Sequence, residues 1–128
     1  MRPTAAGTIL DASALLALPR SIYAQTIVQF SLRERRPLVV PAASLYAAAL
    51  AGADPADFDA DGYTITPVSE VVVPGMVAVA RTAPTPVGMD LIDTVQVVWE
   101  AQVTGYPVLT DNPAPYAVLD APIDLEML

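Results

Sequence analysis

Short apolar runs that alternate with helical patterns constrain the fold of this chain more than any other feature of its sequence. Residues 8–10, 38–40 and 107–110 are the clearest runs, and each has the length of a strand that is buried on both faces of a sheet. Residues 63–68 alternate apolar and polar side chains, and residues 123–128 form a last apolar segment. Each of the five segments is therefore predicted to be a strand.

Helical patterns occupy the intervals between the predicted strands. They lie at residues 13–18, from Ser21 to the arginines before Pro37, at 42–51, at 71–80, from Leu91 to Gly105, and at 115–119. Strands that alternate with helices favour a parallel sheet covered by helices on both faces. The sequence predicts one α/β domain over residues 1–128, with three α/β/α layers and a mostly parallel sheet of four or five strands.

The residue types that are missing exclude several kinds of chemistry. The chain has no Cys and no His, so a disulfide, a zinc site built on thiolates and a Ser-His-Asp triad are all excluded. It has no Lys either, which excludes Schiff-base chemistry and a P-loop. Any reaction must use carboxylates, hydroxyls, arginines or backbone groups.

The charges are unevenly distributed along the chain. The formal net charge is −8, with +3 in residues 1–51 and −11 in residues 52–128. Such an acidic protein is a poor general binder of nucleic acid, because phosphates are contacted mostly by cationic side chains. If RNA binds, the predicted contact is the cluster of Arg33, Arg35 and Arg36. The alternative interpretation of this cluster is a solvated helix end.

The distribution of apolar residues predicts no membrane span. The longest uncharged stretch, residues 37–53, is 17 residues long and contains Pro41, whereas a span needs about 20 apolar residues. Asp11 interrupts the apolar run near the N-terminus, which argues against a signal peptide. We therefore expect a cytoplasmic protein. Because 54% of the residues are hydrophobic and only 16% are charged, we also expect a homodimer.

Acidic residues gather where the predicted strands end. Asp11 and Asp111 follow strands, while Asp90 and Asp93 open a helix. The carboxyl ends of parallel strands meet at one edge of the sheet, and carboxylates are the ligands that Mg²⁺ and Mn²⁺ prefer. The four aspartates are the candidate metal ligands. Other interpretations stay open: Asp11 as a helix cap, Asp90 and Asp93 as a cap and a first-turn acid, and Asp111 in a turn.

Three segments resemble PIN domains, the family that includes the VapC toxins of bacterial toxin–antitoxin pairs. They are Thr8-Ile-Leu-Asp-Ala-Ser-Ala-Leu-Leu-Ala-Leu18, Val40-Pro-Ala-Ala-Ser-Leu-Tyr-Ala47, and the stretch from Asp93 through Gly105 to Thr110. The resemblance implies a Mg²⁺- or Mn²⁺-dependent endoribonuclease that cuts RNA with an acidic cluster. It also implies a homodimer and a cognate antitoxin.

The resemblance assigns the family's acidic positions one by one. The first acid falls on Asp11, and the third falls on Asp93 or on the neighbouring Thr94. Asp11 and Asp93 are therefore the candidate catalytic residues. The second acid falls on Tyr46 or Ala47, and neither side chain has a carboxylate.

The fourth acidic position of the family falls on Asn112, with Asp111 one residue earlier. Two functions are therefore open. The first is a metal-dependent ribonuclease toxin in which Asp90 or Asp111 helps Asp11 and Asp93, with activity weakened or lost. The second is a catalytically inactive PIN-like protein that works as a dimeric scaffold or by binding a partner.

Overall fold

Five strands form one parallel sheet at the centre of the molecule. The computed structural model describes residues 6–128. The strands are β1 (Thr8–Leu10), β2 (Leu38–Pro41), β3 (Tyr63–Thr66), β4 (Val108–Thr110) and β5 (Leu125–Met127), in the spatial order β3-β2-β1-β4-β5. All four neighbouring pairs are parallel. The predicted α/β class is confirmed, and the sheet is five-stranded and wholly parallel.

Within residues 6–128, six α-helices connect the strands. They are α1 (Ala12–Ala17), α2 (Ile22–Arg33), α3 (Ala42–Leu50), α4 (Val73–Thr82), α5 (Ile92–Thr104) and α6 (Ala114–Leu119). Short 3-10 turns at Pro55–Phe58 and Met89–Leu91 precede β3 and α5. β5 begins two residues later than predicted, and so does α4. Pro74 lies in its first turn, where the missing N–H costs no helical hydrogen bond.

The strand side chains point alternately to two apolar cores. Ile9, Val39 and Val108 are buried in one core, which α4, α5 and α6 complete. The next residue of each strand, namely Leu10, Val40 and Leu109, is buried in the other core against α1, α2 and α3. This alternation follows from the two-residue period of a strand. The helices therefore cover both faces of the sheet, which is the predicted three-layer arrangement.

A buried glutamine fixes α5 against α3 and β3. Gln96 is fully buried; its Oε1 accepts a hydrogen bond from the Ala43 N–H at 2.9 Å, and its Nε2 donates to the Thr66 carbonyl at 2.9 Å. The N-cap of α3 is Pro41, whose side chain makes no capping bond, so Gln96 satisfies one of the first free N–H groups of α3. The helix that carries Ser44 is thereby held beside the helix that carries Asp93. Among residues 6–128, none of the helices is both long and apolar enough to cross a membrane.

An acidic cleft as candidate functional site

A small cleft lies at the carboxyl-terminal edge of the sheet. Its volume is about 60 Å³, and its lining includes Asp11, Ser44, Asp93, Thr94 and Tyr116. Asp11 directly follows β1, Asp93 and Thr94 lie in the first turn of α5, and Tyr116 belongs to α6. The sheet order places β1 at the centre, between β2 and β4. The edge at which the sequence predicts a site is therefore the edge that holds this cleft.

Asp11 is bound by hydrogen bonds on both of its carboxylate oxygens. It is only 6% exposed and is the N-cap of α1. Its Oδ1 accepts from the Ala14 N–H at 2.9 Å and from the Ser13 hydroxyl at 2.7 Å. Its Oδ2 accepts from the Tyr116 hydroxyl at 2.7 Å. The alternative interpretation of Asp11 as a helix cap is confirmed, and the hydroxyls of Ser13 and Tyr116 are two further hydrogen-bond donors to its carboxylate.

The Tyr116 phenol stays protonated beside Asp11. Burial raises its pKa well above the usual range for tyrosine, and the nearby charges of Asp11 and Asp93 raise it further. A protonated phenol can donate to a carboxylate, whereas a phenolate could not. Tyr116 is therefore a hydrogen-bond donor on Asp11 Oδ2 over the whole physiological pH range.

The Ser13 hydroxyl joins Asp11 to the chain that follows β4. Because its one proton is donated to Asp11, its oxygen is free to accept the Asp111 N–H at 2.8 Å. The Thr110 hydroxyl in turn accepts the Asn112 N–H at 3.0 Å. These bonds hold the turn after β4 against the start of α1, and they use the backbone of Asp111 rather than its carboxylate.

Asp93 is the second acid in the cleft. It is half-buried, and burial raises the pKa of its carboxyl; the charge of Asp11 raises that pKa further. Hydrogen bonds from the backbone N–H groups of Thr94 and of Asp93 itself act in the opposite direction. None of the described residues that line the cleft is basic. The cleft therefore holds uncompensated negative charge.

Asp90 and Asp111 lie outside the cleft. Both side chains are exposed. The N-cap of α5 is Leu91, which makes no side-chain capping bond, so Asp90 does not have the capping role that was its alternative interpretation. Of the four aspartates proposed as metal ligands, the structure brings together Asp11 and Asp93.

The residues present do not fit a divalent metal ion well. Within residues 6–128, no three side chains among Asp, Glu, His and Cys are close enough to hold a metal together. Oδ1 of Asp11 already accepts two hydrogen bonds and Oδ2 accepts one, so Asp11 could offer a metal a single lone pair on Oδ2. Mg²⁺ gives up its water reluctantly and requires carboxylate charge at a nearly octahedral site. The predicted Mg²⁺ or Mn²⁺ site stays a prediction.

Ser44 is the α3 residue that lines the cleft, and sequence reasoning did not single it out. The resemblance places the family's second acid on Tyr46 or Ala47, but Tyr46 is 67% exposed and neither residue lines the cleft. Ser44 is fully buried, and within residues 6–128 no hydrogen-bond partner reaches its hydroxyl. The signal that could have found it is its isolation, since Ser44 is the one serine in a helix otherwise made of Ala, Leu and Tyr.

The arginine cluster lies at the opposite edge of the sheet. Arg35 and Arg36 line a separate cleft of about 410 Å³ with Asp61 and Thr64, next to the start of β2. A four-residue strand spans roughly 13 Å, so the full height of the sheet separates these arginines from the acidic cleft. An RNA strand would have to extend over about that distance to contact both the arginines and the acidic cleft.

Comparison with known proteins assigns no family to the chain. No family model matches the sequence, and no curated protein matches it. The resemblance to PIN domains therefore rests on the three motif segments at residues 8–18, 40–47 and 93–110. Each of them contributes a strand or a helix to the edge of the sheet that holds the cleft.

Proposed function

We propose that this chain is a PIN-like binding protein that works without metal-dependent hydrolysis. The observation that carries the proposal is the hydrogen bond from the Tyr116 hydroxyl to Asp11 Oδ2, because it leaves one lone pair on the oxygen that a catalytic metal would need. Capping of α1 uses the other oxygen. Three of the roughly four lone-pair positions of the Asp11 carboxylate are thus taken by hydrogen bonds within the fold.

The proposal also accounts for the small number of acids in the cleft. An oxygen site for Mg²⁺ must offset the cost of removing part of the ion's hydration shell, and carboxylate charge does this. Here two carboxylates line the cleft, and the α3 position that faces them is the neutral Ser44. A site of this composition should bind Mg²⁺ or Mn²⁺ weakly.

The binding activity is proposed for the outer surface of α3, with a second copy of the chain as the partner. α3 contains no charged residue, and it exposes 67% of Tyr46 and 73% of Leu50. Beside its C-terminal end lies a cleft of about 560 Å³ that includes Leu15, Leu18 and Phe58 among its lining residues. Apolar helix surface of this kind is typical of protein–protein interfaces. A cytoplasmic homodimer is the assembly that we propose.

A metal titration combined with an RNA cleavage assay tests the proposal. We expect no saturable uptake of Mn²⁺ at micromolar concentration and no chelator-sensitive cleavage of RNA. Asp11→Asn is the matched variant, because its amide oxygen can keep the cap of α1 while the charge is lost. Mn²⁺ uptake and RNA cleavage that both disappear in Asp11→Asn would refute the proposal.

A weak Mg²⁺- or Mn²⁺-dependent endoribonuclease, acting as a toxin with a cognate antitoxin, is the second candidate. The observation that favours it is the shared position of Asp11 and Asp93 in one cleft with uncompensated negative charge. Two carboxylates can bind a metal that keeps several waters. The same titration separates the candidates, because a weak nuclease would bind Mn²⁺ at millimolar concentration and cut RNA in proportion to its occupancy.

A further inference from the structure

The Ser44 hydroxyl is a buried polar group that the fold leaves without a partner. Its residue is fully buried, and within residues 6–128 no donor or acceptor reaches its oxygen. An unpaired buried hydroxyl costs roughly 1–3 kcal/mol, so such groups are rare unless something outside the chain satisfies them. Ser44 lines the acidic cleft together with Asp11 and Asp93. The missing partner is therefore expected inside this cleft.

We infer that the cleft binds a primary ammonium group, which donates hydrogen bonds to Ser44, Asp11 and Asp93. This inference rests on the proposed function, because it requires that the cleft is not a catalytic metal site. Its ligand is a free alkylamine or a lysine side chain of a bound protein. The two sources share the same chemistry, and the experiment below separates them.

Charge selects a cation as the ligand. Two carboxylates line the cleft, and none of the described residues that line it is basic. A cation that enters the cleft would remove the repulsion between Asp11 and Asp93 and replace part of their lost hydration.

Hydrogen-bonding capacity selects an ammonium group over a metal ion. An alkylammonium group has three N–H donors and no acceptor. The cleft offers three matching acceptors, which are the Ser44 oxygen, the Asp93 carboxylate and the remaining lone pair of Asp11 Oδ2. Mg²⁺ would instead require several anionic oxygens in a nearly octahedral arrangement.

The size of the cleft limits the ligand to a small group. Its volume of about 60 Å³ is far below the roughly 300–1,000 Å³ of pockets that hold drug-sized ligands. An ammonium group with its first methylene is of suitable size. The rest of an alkyl chain would extend through the open side of the cleft toward solvent, as a lysine stem does when it lies along a surface.

NMR titration of the full chain with methylammonium chloride at constant ionic strength tests the inference. We expect saturable shifts of the backbone amides of residues 44 and 93. Tetramethylammonium carries the same charge but has no N–H donor, and we expect no saturable shift with it. Equal shifts with both cations, or no saturation with either, would overturn the inference.

Ser44→Ala is the decisive variant. It removes the unpaired hydroxyl, so we expect the stability of the free protein to be unchanged or higher, while the affinity for methylammonium falls at least roughly fivefold. Thr66→Val is the matched control, since it removes a buried hydroxyl outside the cleft and should leave the affinity unchanged. Unaltered affinity in Ser44→Ala would contradict the inference.

A second titration distinguishes the source of the ammonium group and separates this inference from the proposed function. The probe is Nα-acetyl-lysine amide. If it binds more tightly than methylammonium, the ligand is a lysine of a partner protein; if the two affinities are equal, the ligand is a free amine. Tight uptake of Mn²⁺ with RNA cleavage would refute the proposed function. Absence of both Mn²⁺ and methylammonium binding would refute this inference alone.

Discussion

Tyr116 donates its phenolic proton to Asp11 Oδ2 over 2.7 Å, although 105 residues of sequence separate the two. The bond connects the start of α1 to α6 across the carboxyl ends of β1 and β4. In a cleft that contains two acids, this hydrogen bond stabilises the Asp11 carboxylate without a neighbouring cation. The same bond makes Tyr116 the residue whose replacement says most about Asp11.

Replacing Tyr116 with Phe should lower the free energy of unfolding by about 1–2 kcal/mol, because Asp11 Oδ2 loses a charge-assisted hydrogen bond inside the protein. Urea denaturation measures the change. Tyr106→Phe is the control, since Tyr106 lies outside the cleft, where its ring packs beside Gly7. Equal decreases in the free energy of unfolding of the two variants would show that the Tyr116–Asp11 hydrogen bond does not stabilise the fold.

Replacing Asp93 with Asn should stabilise the protein at neutral pH. A carboxyl whose pKa is raised by folding binds protons more tightly in the folded state, so the wild type loses stability as pH rises from the unfolded-state pKa, about 3.9, through the folded-state value. Asp93→Asn removes that loss. The difference between the two proteins should therefore vanish below pH 3 and be largest near pH 7.

Urea titrations at several pH values measure this difference, and Asp90→Asn is the matched control because Asp90 is exposed. Burial also raises the pKa of Glu100, but this residue is present in every variant and its effect cancels. A pH-independent difference between Asp93→Asn and wild type would show that Asp93 does not titrate as its burial predicts.

Replacing Gly75 with Ala should destabilise the packing of α4 against α5. A β-carbon at position 75 would overlap the indole nitrogen of Trp99, so the ring or the helix must move. Overpacking of this kind costs about 1–3 kcal/mol. Fluorescence of the single tryptophan reports the shift directly. Gly88→Ala is the control, because its β-carbon would meet a carboxylate oxygen of the exposed Asp90, and that side chain can turn away. Equal destabilisation in the two variants would argue against the Trp99 contact.

The chain should form a homodimer through α3. Light scattering at micromolar concentration is expected to give about twice the chain mass of 13.4 kDa. Leu50→Arg places a charge in the proposed interface and should produce the monomer. Val71→Arg makes the same change at a residue that is 82% exposed near α4 and should leave the dimer intact. A dimer that only Val71→Arg dissociates would place the interface on the other face of the sheet.

The layers of the fold could be predicted from the sequence because each strand is a short apolar run and each helix has its own local pattern. Ile9 and Leu10 show why this works. They are neighbours in sequence but enter different cores, so both must be apolar, and a strand with two buried faces is visible as a continuous run. Asp11 was found by the same logic, since it follows such a run directly.

The remaining parts of the site depend on contacts between distant segments. Nothing near Tyr116 in the sequence indicates that its hydroxyl reaches Asp11, and nothing near Ser44 indicates that it faces Asp93. The position of α3 along α5 is fixed by Gln96, whose two bonds reach residues 53 and 30 positions away. A helical pattern shows which residues share a face, but it does not show which of them will face a cleft.

The central place of β1 also has a consequence for the synthesis of the protein. β1 leaves the ribosome before both of its neighbours; β2 follows within about 30 residues, whereas β4 begins only at Val108. Until then the nascent chain presents β1 with an open hydrogen-bonding edge, which invites pairing with other chains. Asp11 meets Tyr116 only after β4 has docked. The acidic cleft therefore cannot form before β4 and α6 have been synthesised, and a chain interrupted before β4 would be prone to aggregate before it could bind anything.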